Sequence, residues 1–338
     1  MARTLLHAGF GLLTLLALSG CQDRDVDAGR EAPGKGISIA VIPKGTIHEF
    51  WKSVNAGAQK AGQELDAEII WKGPLREDDR DAQIAVVEDF ISRGVSGIVL
   101  APLDETALRG PVSTAMKAGI PVVIFDSGLA GEAGKDFISY VATDNLKAGQ
   151  IAGEEMARQL DGQGNVVVLR YSEGSNSSNL REEGFLEAVA GHPGIKVLSS
   201  NQYAGVTTES AQQAGENLLA RFKRPDGGPE FDGLFCATEP TAFGLLRALQ
   251  DAGVAGDVKF IGFDSSEKMI AALESGEMTG FVVQNPREIG HMAVATMVAH
   301  LQGQPVATRI DTGAVLVTKE NLHSPEIEAL LHPAAAAP

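Results

Sequence analysis

A chain of 338 residues is long enough for about two domains. Its hydrophobic fraction of 44% is that of an ordinary globular protein, while a net charge of −16 argues against a nucleic-acid-binding surface, so no nucleic-acid partner is expected. Aromatic residues make up only 5% of the chain, so the adjacent pair Phe50-Trp51 needs an explanation.

The first stretch, MARTLLHAGFGLLTLLALSGC, has a basic Arg3, an apolar run from Phe10 to Leu18 and small residues before Cys21. This is the pattern of a secretory signal, too short for a stable membrane span, and residues 1–20 are read as that signal. Leu18-Ser19-Gly20-Cys21 resembles the bacterial lipobox, so lipidation is expected at Cys21, with an ordinary cleaved signal as the alternative. Residues 21–36 then form the lipidated Cys and a flexible tether, because QDRDVDAGREAPGKG is polar, charged and interrupted by Gly and Pro. Cys236 is the second cysteine of the chain, which leaves no disulfide in the mature protein, and its setting GLFCA reads as buried.

From Ile37 onward, short β-branched runs alternate with helical patterns. ISIAVIP (37–43), AEIIW (67–71), VSGIVLAP (95–102) and PVVIFD (121–126) read as buried parallel strands. Between them, Val54, Ala58, Ala61 and Leu65, and again Ile84, Val87 and Ile91, recur with the period of helices that cover a sheet. After YVATDN (140–145) the pattern restarts, with strands predicted at 165–171, 195–202, 233–237, 258–264 and 280–284. The fold class is therefore α/β, with two doubly wound parallel-sheet lobes of similar design.

Such sheets bind ligands at the carboxyl ends of their strands. The segments to inspect are Pro43 to Trp51, Pro102 to Glu105, Asp126-Ser127, Glu173 to Arg181, Thr238-Glu239, Asp264-Ser265 and Gln284-Asn285, which are rich in carboxylates, amides and hydroxyls. His48-Glu49 looks like half of a zinc-protease helix, but Lys52 stands where the second His would be, and no metal site is expected. No G-x-G-x-x-G follows the first strand, and the loop Gly128 to Asp136 has the wrong spacing for a P-loop, so no nucleotide cofactor is expected, nor any other. No G-x-S-x-G elbow is present. Asp126 and Glu239 could be imagined as a glycosidase pair, but carboxylates that hydrogen-bond sugar hydroxyls explain them without chemistry, so no catalytic residue is assigned.

FWKSVNAGAQKAG (50–62), GIPVVIFDS (119–127), VATDN (141–145), NLREEGF (179–185), ALQDAG (248–253), FIGFDSS (260–266) and VVQNPREIG (282–290), taken in order, resemble the sugar-binding type I periplasmic binding proteins, the group that includes the ribose-binding protein. The resemblance implies two lobes joined by a three-segment hinge: an N-terminal lobe of 37–142 plus 285–311, a C-terminal lobe of 143–284 plus 312–330, and a tail at 331–338. It places the hinge at Ala142, Thr143, Asp144, Asn285, Asp311 and Thr312. The effector-binding half of lac-repressor-type regulators is similar, but a signal and tether stand where those carry a DNA-binding domain.

On this resemblance Phe50 and Trp51 are expected to pack on the apolar face of a sugar, with His48 offering a hydrogen bond where the family often has Asn. Asp126 matches the family's carboxylate after the fourth strand, and Ser127 stands where ribose binders have Arg. Arg181, Asp264 and Gln284 match ligand residues, and Thr238-Glu239 replace an Asn-Asp pair. Lys44 and Tyr203 are further candidates. The pocket charge is expected to be neutral to acidic, which favours a neutral sugar over a sugar acid or phosphate and leaves an amino sugar or other cationic polyol as a further option. The function implied is an exported, periplasmic or cell-surface lipoprotein, monomeric, anchored through Cys21, that delivers a small sugar to the permease subunits of an ATP-binding-cassette importer. Reception for a chemoreceptor or sensor kinase, with a furanose-like signal or amino sugar as ligand, is the alternative, and a cleft hydrolase the third.

Overall fold

The computed structural model describes residues 36–332; the expected signal, Cys21 and the tether through Lys35, and the tail from 333 onward, lie outside the described residues. The chain opens with β1 (Ile37–Ile42), α1 (Glu49–Glu64), β2 (Ala67–Trp71), α2 (Arg80–Arg93), β3 (Gly97–Leu100), α3 (Arg109–Lys117), β4 (Val122–Phe125) and β5 (Ser139–Ala142). A second alternating run follows: α4 (Asn145–Gln159), β6 (Gln163–Arg170), α5 (Asn176–Ala190), β7 (Gly194–Tyr203), α6 (Thr208–Arg221), β8 (Gly233–Cys236), α7 (Glu239–Asp251), β9 (Lys259–Phe263), α8 (Glu267–Ser275) and β10 (Gly280–Gln284). The chain then adds α9 (Pro286–Leu301), β11 (Arg309–Asp311), β12 (Ala314–Thr318) and α10 (Pro325–Leu331). No helix among the described residues is long and apolar enough to cross a membrane.

The strands form two six-stranded sheets, ordered β2-β1-β3-β4-β5-β11 and β7-β6-β8-β9-β10-β12. Pairing is parallel except for β12, which runs antiparallel to β10. Strands such as VVIF in β4 and GLFC in β8 are buried along their whole length, because helices cover both faces of each sheet. The chain passes between sheets after β5, after β10 and between β11 and β12, and the first and third passages are tied together. Thr143 Oγ1 donates to the Gly313 carbonyl at 3.1 Å, the Asp144 N–H donates to Asp311 Oδ1 at 3.0 Å, and Arg309 Nη2 donates to the Thr143 carbonyl at 3.0 Å.

Helix α2 shows how local sequence fixes a boundary. Asp79 accepts the Ala82 N–H at its start, and Gly94, at φ 65°, ends it in the left-handed conformation that glycine adopts without strain. Its buried stripe is Gln83, Val86, Val87 and Phe90, so Ile84 and Ile91 of the predicted face lie at its margin, partly exposed.

Glycines set how closely two helix pairs pack. A Cβ on Gly57 of α1 would stand 2.0 Å from the Arg287 carbonyl oxygen of α9, and one on Gly290 2.1 Å from that of Val54. The second lobe repeats the device: Gly149 of α4 lies against the Arg181 carbonyl and Gly184 of α5 against that of Leu146, each at 2.0 Å from the missing Cβ. Only glycine permits backbones to approach so closely. Each pair carries site residues, since α1 begins at the Phe50-Trp51 pair and α5 holds Arg181.

Candidate functional site

In both sheets the first strand of the unit lies between the second and third, the switch that leaves a crevice at the carboxyl ends. The two crevices face each other across a cavity of about 40 Å³. Lys44, His48, Phe50, Trp51, Glu77 and Asp126 line it from the first sheet's side, and Tyr171, Ser175, Ser177, Arg181, Thr238, Glu239, Pro240, Asp264 and Gln284 from the other. A wider groove of about 860 Å³ continues outward past α8 and α10, sharing Phe50, Glu239, Asp264 and Gln284 with the cavity. The polar groups converge in the small cavity, so that is the candidate site and the groove is its approach.

The aromatic wall comes from the start of α1. Trp51 is 2% exposed, with Phe50 edge-on at 5.0 Å and Phe125 edge-on at 6.1 Å between ring centroids. Trp51 therefore belongs to the first lobe's core and also lines the cavity. Its indole N–H donates to Glu77 Oε1 at 2.8 Å, and the other oxygen of Glu77 accepts the Tyr171 hydroxyl at 3.1 Å. Glu77 follows β2 and Tyr171 follows β6, so this carboxylate joins one lobe to the other.

Asp126 and Asp264 end equivalent strands, β4 and β9, with φ of 59° and 60°. Their backbones accept a conformation uncommon for residues with a Cβ, and Asp is among the few side chains that tolerate it. The result turns both carboxylates into the cavity.

Lys44 is 3% exposed, and its ammonium donates to Ser177 Oγ at 2.9 Å and Ser175 Oγ at 3.2 Å across the cleft, with Asp126 at 3.6 Å. Burial lowers its pKa, and the carboxylates of Asp126 and Glu77 oppose that shift. Arg181 is clamped by Asn145 Oδ1 at 2.8 Å and the Ala237 carbonyl at 3.0 Å, with its guanidinium 3.9 Å from the centre of the Phe263 ring. His48 stands between carboxylates of both lobes, 3.7 Å from Glu77 and 3.9 Å from Glu239. Burial pushes Glu239 up to about 7, with neighbouring Asp264 adding to it. Asp264 is pushed up to about 6, again mainly by burial, with Arg181 and Gln284 opposing.

Two expected ligand residues stand elsewhere. Tyr203 is 40% exposed at the end of β7, beside Arg170 rather than the cavity. Strand β7 lies at the sheet edge and its pairing with β6 shifts register twice, so alternation along it does not predict which face Tyr203 takes. Ser127 is fully buried but does not line the cavity; its hydroxyl accepts the Ser177 N–H at 3.2 Å, a bond between lobes. Glu77, Tyr171, Ser175, Ser177 and Pro240 line the cavity without having been singled out. Ser175 and Ser177 fall inside the segment from Glu173 to Arg181 flagged by the strand-end rule, and the same rule applied after AEIIW reaches Glu77. The six predicted hinge residues lie at the three passages between sheets. Among the described residues, no three His, Cys, Asp or Glu side chains cluster so as to hold a metal.

Two facing α/β lobes with a polar, aromatic-walled cavity at their strand ends define a solute-binding architecture. The family profile described as "Periplasmic binding protein domain" matches residues 39–305, and the chain belongs to that family. The ribose import binding protein of Escherichia coli K12 is 30% identical over 288 residues, covering 84% of this chain and 91% of that protein. A carbohydrate transporter solute-binding protein from Agrobacterium radiobacter, solved in complex with D-arabinose, is 33% identical with a TM-score of 0.82, covering 88% of this chain and 99% of that one. A solute-binding protein of an ATP-binding-cassette transporter from Agrobacterium vitis, solved with D-fucose, is 34% identical with a TM-score of 0.81, covering 87% and 99%.

Proposed function

We propose that this chain is the extracytoplasmic solute-binding component of an ATP-binding-cassette importer and holds one small sugar or sugar-like polyol between its lobes. The observation that carries this reading is the cavity itself: donors and acceptors from strand ends of both sheets meet beside the rings of Phe50 and Trp51. A sugar needs that combination, because its C–H face packs on an aromatic ring and each buried hydroxyl must find a partner. The sugars named with the similar solved proteins support it.

In this reading the lobes part about the passages at 143–144, 285 and 312–313 and close over the solute. About 40 Å³ holds about three waters. A sugar in the cavity therefore displaces the bridge from Lys44 to Ser175 and Ser177, and its hydroxyls inherit those partners. In the same reading the cleft binds without turnover, with Asp126, 3.6 Å from the Lys44 ammonium, accepting hydroxyl protons of the sugar. Export and anchoring at Cys21 belong to the same proposal and rest on the signal and Leu18-Ser19-Gly20-Cys21 alone.

A thermal-shift screen against neutral pentoses, hexoses, polyols, amino sugars and sugar acids tests the proposal, since a ligand that binds only the folded state raises its melting temperature. A selective rise with one sugar, lost in Asp126→Ala, with the sugar recovered unchanged after incubation, is expected. No rise with any member of the panel refutes the sugar-binding reading, and consumption of the sugar refutes binding without turnover.

A further inference from the structure

The donors and acceptors around the cavity are unevenly placed. Where it meets the outer groove, three side chains offer acceptors: Glu239, Asp264 and Gln284. Gln284 is 3% exposed and spends its amide N–H on Asp264 Oδ1 at 2.9 Å, which fixes the amide's orientation. Its Oε1 is thereby left buried, with no hydrogen-bond partner among the described residues. The carboxylate of Glu239 reaches no cation among the described residues within ion-pair distance except the His48 ring, at 3.9 Å.

The cavity's own cations make no ion pair at this end, although the charge of Arg181 partly offsets the burial of Asp264. Lys44 is engaged by Ser175, Ser177 and Asp126, and Arg181 by Asn145 and the Ala237 carbonyl. Four carboxylates, Glu77, Asp126, Glu239 and Asp264, thus line a cavity with two such cations. Burial of unpaired carboxylates is costly, and an unfilled buried acceptor adds to that cost. Burial raises both Glu239 and Asp264, with Asp264 adding to the shift of Glu239 and Asp126 and Glu77 adding to that of Asp264, in line with the same deficit.

We propose that the solute is an aminated sugar or amino-polyol whose protonated amine sits between Glu239, Asp264 and Gln284 Oε1. An ammonium carries three N–H donors and one positive charge, and so supplies both things this end lacks, whereas a hydroxyl supplies one donor and no charge. The hydroxyls of the same molecule then face Lys44, Ser175 and Ser177. The inference rests on the sugar-binding reading and narrows it.

Calorimetric titration of the full chain at pH 7.5 with glucose and glucosamine, galactose and galactosamine, and mannose and mannosamine tests it, with the N-acetyl forms as uncharged controls. In at least one pair the amine is expected to bind at least tenfold more tightly than both its parent and its N-acetyl form. Glu239→Gln and Asp264→Asn should each reduce that preference to within about threefold, by removing one charge at the ammonium position. A neutral sugar that binds as well as or better than its amine in every pair overturns the inference and leaves the sugar-binding reading standing. An amine preference that both variants leave intact also overturns it, since the ammonium then lies elsewhere. No binding by any member overturns the inference, while the sugar-binding reading is decided by the wider thermal-shift panel with its pentoses and polyols.

Discussion

Replacing Gly149 by Ala should damage stability and ligand affinity together. The added Cβ would stand 2.0 Å from the Arg181 carbonyl oxygen, 2.7 Å from its carbon and 2.9 Å from its Cα, where real Cβ contacts essentially never fall below 3.0 Å. All three neighbours are backbone, so no side chain can swing aside, and α4 and α5 must separate by about 1 Å. Overpacking of this kind costs about 1–3 kcal/mol, and an obstructing backbone argues for the upper end. At about 1.5–2 °C per kcal/mol for a folded unit of about 300 residues, the melting temperature should fall by about 3–6 °C. The same separation pulls Arg181 Nε away from Asn145 Oδ1, now at 2.8 Å, and a site held about 1 Å out of place loses its preorganisation. Scanning calorimetry and titration with the sugar chosen by the thermal-shift screen should show the lower melting temperature and at least tenfold weaker binding. Gly110→Ala is the control, because its Cβ meets nothing within 4 Å. If Gly149→Ala melts within 1 °C of the wild type and binds equally well, the argument from helix approach is wrong.

Tyr171→Phe removes the hydroxyl that reaches Glu77 from the other lobe at 3.1 Å; such a bond to a charged group is worth about 1.5–3 kcal/mol. Sugar affinity should fall about tenfold or more with little change in the unliganded melting temperature, and unchanged affinity would show that the bond does not hold the closed form. Gln83, fully buried, donates to the Pro43 and Ala101 carbonyls and accepts the Leu103 N–H, tying the loops after β1 and β3. Gln83→Leu strands these groups and should cost about 2–4 kcal/mol in a denaturant titration, whereas a loss below 1 kcal/mol would mean the loops hold themselves. Glu239 and Glu182 are pushed up to about 7 and Asp264 to about 6, all above their unfolded values near 4. Raised carboxylates give stability that is fully present below about pH 4 and lost as pH rises through 6–7. The unliganded melting temperature should therefore decline from pH 5 to 7.5, less steeply in Glu239→Gln, and a rise across that window in the wild type would contradict the burial argument.

The fold was legible because its signals are local and redundant. Runs such as ISIAVIP and PVVIFD are nearly continuous in apolar residues, as strands covered on both faces require, and turn residues bound each one. The antiparallel direction of β12 was not legible, since AVLV reads the same whichever way it pairs. Nor was the role of Gly57, Gly149, Gly184 and Gly290, because contact between helices distant in sequence leaves no periodic mark. Asp126, Asp264 and Gln284 were legible as strand-end residues, a position the topology turns into a cavity wall. Ser127 occupies such a place too, but its hydroxyl serves the Ser177 N–H, a choice set by the other lobe. Tyr203 lies outside the cavity lining, on an edge strand whose register shifts hide which face it takes. Glu77 sits in LREDD, where several carboxylates look alike and only the bonds to Trp51 and Tyr171 distinguish one.

The central claim is that the two lobes close over a single small solute. Small-angle X-ray scattering of the unliganded protein and of the protein saturated with the sugar selected by thermal shift tests it directly. The account predicts a smaller radius of gyration with sugar present, and no change for Asp126→Ala at the same sugar concentration. An identical radius with and without a sugar that calorimetry shows to be bound would contradict closure between the lobes.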